Sequence, residues 1–248
     1  MATQLEIVNR ILVRLRESEV SSISLSDYAA LIASFVNEAK EDIEDMWFWT
    51  VNETEIDTSI LSDGTREYDL TTTTDRSFLV RSLDDNVPMA YDITASEEGQ
   101  LMDIPLKELR KWRNTFKGTP DDLEAPTEFA VKPDTDGRGY SIELKQGSTT
   151  ARTWRTYWYA PQATLAVDGT DDATEILLPE RPIYLTALKY ALNERGEEIG
   201  EPAQLVAEQA QRAVAAAMEL DMQVNKKSDE KDMTNLEALR TNLIGVSW

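Results

Sequence analysis

The chain of 248 residues contains neither cysteine nor histidine. Without cysteine there is no disulfide framework, no thiol nucleophile and no thiolate zinc site. Without histidine there is no Ser-His-Asp triad, no haem-ligating His and no His-ligated zinc. Positive charge is scarce: 25 Lys and Arg stand against 46 Asp and Glu, a net charge of −21. Proteins that grip nucleic acid by its phosphates need clustered cations, so this balance argues against one. No apolar run approaches the ~20 residues of a membrane span. The opening MATQLEIVNR has no signal-peptide pattern, and we expect a protein made and used in a cytosol. What is present is a hydrophobic fraction of 41%, which supports a buried core and excludes wholesale disorder. The length fits one or two domains.

The acid is spread out. Residues 51–100 carry −9, from 3 cations and 12 acids, whereas residues 101–150 are near neutral at −1. There is no acidic tail, and solubility is the plain reading of the excess.

Periodicity divides the chain. Leu5, Val8, Leu12 and Leu15 share a helical face, with Ile7 and Ile11 beside them. Ser21–Ser26 is a polar break, and Ser24, three residues before Asp27, suggests a capping-box start. A second helix carries Ile32, Phe35 or Val36, Ala39, Ile43 and Met46 or Trp47 inward. The short loop between the two predicts an antiparallel hairpin. After Trp49 the texture becomes β-rich. Strands are expected at Thr50–Ile56, Arg66–Leu70, Phe78–Leu83, Met89–Thr94, Glu128–Val131, Tyr140–Leu144, Thr153–Tyr159 and Glu175–Leu178. Asp63-Gly64, Asp136-Gly137 and Asp168-Gly169 mark turns. One helix interrupts them at about Pro105–Phe116. Helices return at Glu180, with Gly196 as a stop and Pro202 as a first helical residue. The fold class read from this order is α+β. A discontinuous antiparallel helical bundle (residues 1–50 and 180–226) carries an inserted antiparallel β-sandwich or barrel (51–179). The last stretch, Lys227–Trp248, begins within a charged run and closes on Leu236, Leu239, Leu243, Ile244 and Trp248. A charged spacer ending in apolar residues reads as an arm that orders on a partner, against the plainer reading of a frayed tail or a last helix.

Few constellations suggest chemistry. Asp84-Asp85, Asp121-Asp122 and Asp171-Asp172 are neighbours, and neighbours on a strand point to opposite faces, which disfavours a catalytic pair. Lys132, Asp134, Asp136, Gly137 and Glu143 mimic a calcium loop, but strand-like flanks favour a hairpin turn. We expect no cofactor, no metal site and no enzymatic activity. Lys107, Arg110, Lys111, Arg113 and Lys117 form a concentrated cation patch. It suits an acidic surface on a neighbour, a plain solvated face or, less well, nucleic acid. Trp154, Thr156 and Trp158 alternate with Arg155, Tyr157 and Tyr159, so both faces of that strand carry aromatics. This suits a strand buried on one side and covered by another subunit on the other. A carbohydrate platform built from Trp154, Tyr157 and Trp158 is the rival binding reading. A carboxylate-dependent hydrolase is the rival enzymatic one.

Several short motifs occur in a telling order. Asn9-Arg10-Ile11-Leu12, Arg16-Glu17 and Val20-Ser21-Ser22 resemble the "N-x-I-L … G-E … V-x-S" start of tailed-phage head-to-tail adaptors of the tail tubular protein A type. Arg16 stands where that start often has Gly. Asp45–Thr50 is similar to the family's aromatic exit into its β region. Gly118-Thr119-Pro120 and Ala125–Phe129 resemble its "G-x-P" entry to a strand, and Trp154–Pro161 its aromatic strand. Leu178-Pro179 opens the returning helix. The resemblance covers about residues 5–195. It implies a virion protein at the head-tail junction, assembled in the bacterial host cytoplasm. Such adaptors form a ring, usually dodecameric, that joins the portal to the tail nozzle or tail tube and leaves a DNA channel. On this reading Leu236, Leu239, Leu243, Ile244 and Trp248 dock on the portal or an adjacent subunit. Lys107, Arg110, Lys111, Arg113, Trp154, Tyr157 and Trp158 are inter-subunit contact candidates. DNA passes without specific binding, and no membrane is involved.

Overall fold

The computed structural model describes residues 2–70, 73, 76–80, 90–94, 99–115, 126–134, 139–196 and 201–224. The expected arm, with Leu236, Leu239, Leu243, Ile244 and Trp248, lies outside the described residues. So do Asp84-Asp85, Gly118–Asp122 and the Asp136-Gly137 turn. Among the described residues the architecture is α+β, with five α-helices and two antiparallel-rich sheets. The chain divides into two compact units, one of residues 1–51 and 162–248, the other Asn52–Pro161.

In the first unit, α1 spans Gln4–Arg14 and α2 spans Asp27–Met46. Helix α1 starts on a capping box in which the Thr3 hydroxyl accepts from Glu6 N–H and the Glu6 carboxylate accepts from Thr3 N–H. It ends on a Schellman pair, Glu17 N–H to Leu12 O and Arg16 N–H to Val13 O. That ending requires a left-handed residue, and Arg16 holds φ +62° there. A glycine adopts this conformation without strain, which accounts for the Gly at this point of the resembled motif. The Asn9 amide pairs with both backbone groups of Val20, at 2.9 Å each, and so folds the α1–α2 loop back onto α1. The cap of α2 is Ser26, whose hydroxyl accepts from Ala29 N–H, and not Ser24. Ser24 sits inside a 3₁₀ turn, Ile23–Leu25, which the polar composition of the break concealed.

Helices α4 (Glu180–Glu194) and α5 (Glu201–Val224) complete this unit. Gly196 follows α4 at φ +74°, the expected stop. Helix α4 is apolar on more than one side. Ile183, Ala187, Leu188 and Ala191 join the core with α1 and α2, while Leu185 packs with Ala210 and Ala213 of α5. Alanines at 210, 213 and 217 keep the α5 surface facing the core low.

In the second unit, β1 (Glu53–Ile60) pairs along its whole length with β9 (Arg152–Tyr159). The other edge of β9 is shared by β3 (Phe78–Leu79) and β4 (Ala90–Asp92), and β5 (Gly99–Gln100) lies beyond β4. The second sheet runs β2 (Glu67–Leu70), β8 (Tyr140–Leu144), β7 (Glu128–Pro133) and β6 (Met102–Asp103). The β6–β7 pairing is parallel. Helix α3, Leu106–Thr115, interrupts the strands where expected. Side chains of both sheets share one core. Phe129 meets Trp154 edge-on at 6.2 Å and Tyr140 lies 5.6 Å from Trp158. The Asp63-Gly64 turn is present, with Gly64 at φ +82°, and Gly147 approaches it too closely for any side chain.

Two strand expectations are corrected. Thr50–Asn52 is a 3₁₀ turn, so the first strand begins at Glu53. Glu175–Leu178 is not a ladder strand: Glu175 makes a single bridge with Thr3, in the helical unit. Its alternating pattern is explained by burial of Ile176 and Leu178 in the helical core.

Candidate interaction surfaces

Strand β9 presents two chemically distinct faces. Trp154, Thr156 and Trp158 point into the core with no exposed surface. The Trp158 indole donates to the Thr156 hydroxyl at 2.8 Å. Of the inter-subunit contact candidates, Trp154 and Trp158 are thus fully buried within this chain's own core. The opposite face carries Arg155, Tyr157 and Tyr159. Arg155 makes a two-pronged contact with Asp57 (2.8 and 3.0 Å), its direct cross-strand partner, and meets Glu55 at 2.8 Å. The guanidinium holds the Asp57 carboxyl below its ordinary value. Tyr157 is half-buried, edge-on to Tyr91, and Tyr159 stacks on Phe78 at 4.9 Å. Of the three aromatics named from sequence, only Tyr157 faces outward.

Helix α3 sorts the cation patch. Leu109 is fully buried and fixes the helix's inner side. Lys107, Arg110, Lys111 and Asn114 are exposed and line one shallow depression at helical spacing. The three cations make no ion pair among the described residues. Arg113 leaves this stripe: it pairs with Glu143 and donates to Leu144 O at 2.8 Å. Arg113 therefore ties α3 to β8. Glu143, the supposed twelfth ligand of a calcium loop, is spent on that tie, and β7 and β8 pair antiparallel as a hairpin requires.

Some of the acidic excess is visible. Glu53, Glu55 and Asp57 project from the outer face of β1. On α2, Glu38, Asp42 and Asp45 form an exposed row, with half-buried Glu41 between them. The Tyr190 hydroxyl donates to Asp42, and burial together with Asp42 and Glu38 raises its pKa. Asp171 and Asp172 fasten the chain in different directions. Asp171 accepts from Ala166 N–H at 2.6 Å, and Asp172 from Ile23 N–H at 3.3 Å. Their roles are turn and loop geometry.

Sequence reasoning missed one surface. Leu188, Leu192, Leu205 and Val206 floor a groove in the helical unit, rimmed by Arg14, Arg16 and Arg195. Arg195 donates to the Tyr28 hydroxyl (2.7 Å), Leu15 O (3.1 Å) and Glu17 (2.6 Å). The Tyr28 hydroxyl, then Glu17, keep it firmly protonated against its partial burial. The visible signal was Arg16 in a glycine position.

Among the described residues no group of acids is arranged to hold a metal ion, and no helix is long and apolar enough to cross a membrane. No protein of curated function matches the chain. The family model described as SU10 adaptor protein matches residues 2–238. The match spans both units and nearly the whole sequence, so the chain belongs to the SU10 adaptor protein family and is a structural phage adaptor.

Proposed function

We propose that this adaptor forms a ring at the head-tail junction, between the portal and the tail nozzle or tail tube, around a DNA channel. The observation that carries the reading is the family match over residues 2–238. The order of the adaptor-like motifs supports it. Several of those motif residues fasten the fold: Asn9 holds Val20, Trp49 donates to Ile43 O, and Trp47 and Thr50 both donate to Asp221.

The mechanism follows from packing and charge. Copies join by one repeated heterologous contact that closes on itself. On this reading the second unit is a sandwich-like body and the helical unit a discontinuous bundle. The arm at 227–248 inserts into the portal or an adjacent copy through Leu236, Leu239, Leu243, Ile244 and Trp248. A wall with excess carboxylate repels phosphate, so DNA passes without sticking. Assembly takes place in the host cytoplasm. The adaptor's work is geometric, with no reaction step. The carbohydrate reading loses its support, since two of its three aromatics are buried.

Deleting residues 228–248 tests the docking step. The truncated chain keeps its helical and β content but loses attachment to portal, read by co-sedimentation. Attachment equal to that of the full chain would overturn the arm's role.

A further inference from the structure

We infer that the contact joining neighbouring copies sets the basic stripe of α3 against the acidic row of α2 on a second copy of this chain. This rests on the ring reading and names its surface.

Four observations lead to it. The first is the scarcity of cations in a chain of net charge −21, which makes an exposed cationic stripe an attractor for the acidic surface of a second copy. The second is that Lys107, Arg110 and Lys111 are exposed and make no ion pair among the described residues, although Arg113 on the same helix is consumed by Glu143. The third is spacing. The basic stripe occupies positions i, i+3 and i+4 of α3 and is continued by Asn114 at i+7. The acidic row occupies i, i+3, i+4 and i+7 of α2, as Glu38, Glu41, Asp42 and Asp45. Residues so spaced stand on one side of a helix, so the two rows match in length and oppose in sign. The fourth is location. The two helices belong to different units, and the two surfaces differ, so each copy offers one of each. A contact between unlike surfaces is heterologous, the kind that repeats around a ring.

Such a contact is electrostatic in character. Complementary charge steers encounter and fixes orientation, and it weakens with salt. Like rows repel, which prevents α2-to-α2 and α3-to-α3 pairing. The contact therefore selects direction as well as partner.

Mixed-isotope cross-linking tests the surface directly. Unlabelled and nitrogen-15-labelled full chains are mixed as monomers, assembled with and without portal, and treated with a carbodiimide. That reagent joins an ammonium to a carboxylate without a spacer. The expected products link Lys107 or Lys111 of one isotope to Glu38, Glu41, Asp42 or Asp45 of the other, and they fade in high salt. Links confined to single copies, or to other acids, would overturn the assignment. Charge exchange provides the second arm. K107E/R110E/K111E and E38K/D42K/D45K are each expected to lose self-association on the order of tenfold or more. An equimolar mixture regains it, because every interface between the two variants again pairs opposite charges. Helical content by circular dichroism shows that each variant is folded; the cross-links on wild-type chain carry the test if one is not. Wild-type rings that form without these links, and variants that assemble alone, would refute this contact and leave the ring standing. A wild-type chain that stays monomeric with and without portal would refute both.

Discussion

In the helical unit two buried polar side chains of α2, Asn37 and Lys40, are aimed at backbone. Lys40 is fully buried on α2 and donates to Gln162 O (2.6 Å) and Ala163 O (2.9 Å). Asn37, one turn earlier, exchanges two hydrogen bonds with Leu165. Asp221 on α5 accepts from Trp47 and Thr50 where the chain leaves α2. In the β unit four ion pairs join side chains across strands: Arg155 with Asp57, Arg152 with Asp92, Lys132 with Glu67 and Lys145 with Glu128. The difference follows from chain order. The β unit is continuous, and its ladders already pair its backbone. The helical unit is assembled from two separated segments, and its returning chain at 162–178 has no sheet to join. Asn37 and Lys40 of α2 supply partners there that a ladder would have supplied.

Removing a tie in the helical unit therefore exceeds removing an ion pair in the β unit. The largest effect is expected from Lys40→Met, which removes the donor of the Gln162 and Ala163 carbonyls and leaves the buried Glu44 carboxylate without its 3.9 Å pairing. Chemical denaturation should show a loss of about 3–5 kcal/mol. Asp221→Ala comes next, at about 2 kcal/mol, with the change in Trp47 fluorescence preceding the global transition. Arg16→Gly acts in the other direction. It relieves a left-handed side-chain residue and should stabilise by about 0.5–1 kcal/mol, read as a raised melting temperature.

The smallest effect belongs to Asp57→Asn. The Asp57 and Arg155 side chains are 43% and 33% exposed, so solvent screens their pairing and the loss near neutral pH stays within about 1 kcal/mol. Its sign appears with acid. Arg155 depresses the folded value of Asp57, so the contribution is present above the ordinary carboxylate value and disappears as pH falls through the depressed one. The wild-type chain should thus lose its advantage over Asp57→Asn on acidification. A Lys40→Met loss no larger than that of Asp57→Asn would break the contrast between the units.

Helix faces, turns and most strands were legible because they depend on local spacing. What was hidden depended on partners distant in sequence. Lys40 reads as a surface residue on α2, and only the return of Gln162 to its side makes it a buried tie. Glu175–Leu178 alternates like a strand, yet Ile176 and Leu178 complete a helical core. Trp154 and Trp158 looked available because aromatic content does not say which face a second sheet will cover. Arg113 was indistinguishable from Lys107, Arg110 and Lys111 until Glu143 stood opposite it. Arg16 was visible as an oddity in the adaptor-like motif, and the Schellman ending of α1 explains it.

The most direct test of the adaptor reading is electron microscopy of the full chain co-assembled with portal. The account predicts a closed ring of copies seated on the portal, coaxial with its channel. A compact monomer that leaves portal particles unchanged would contradict it.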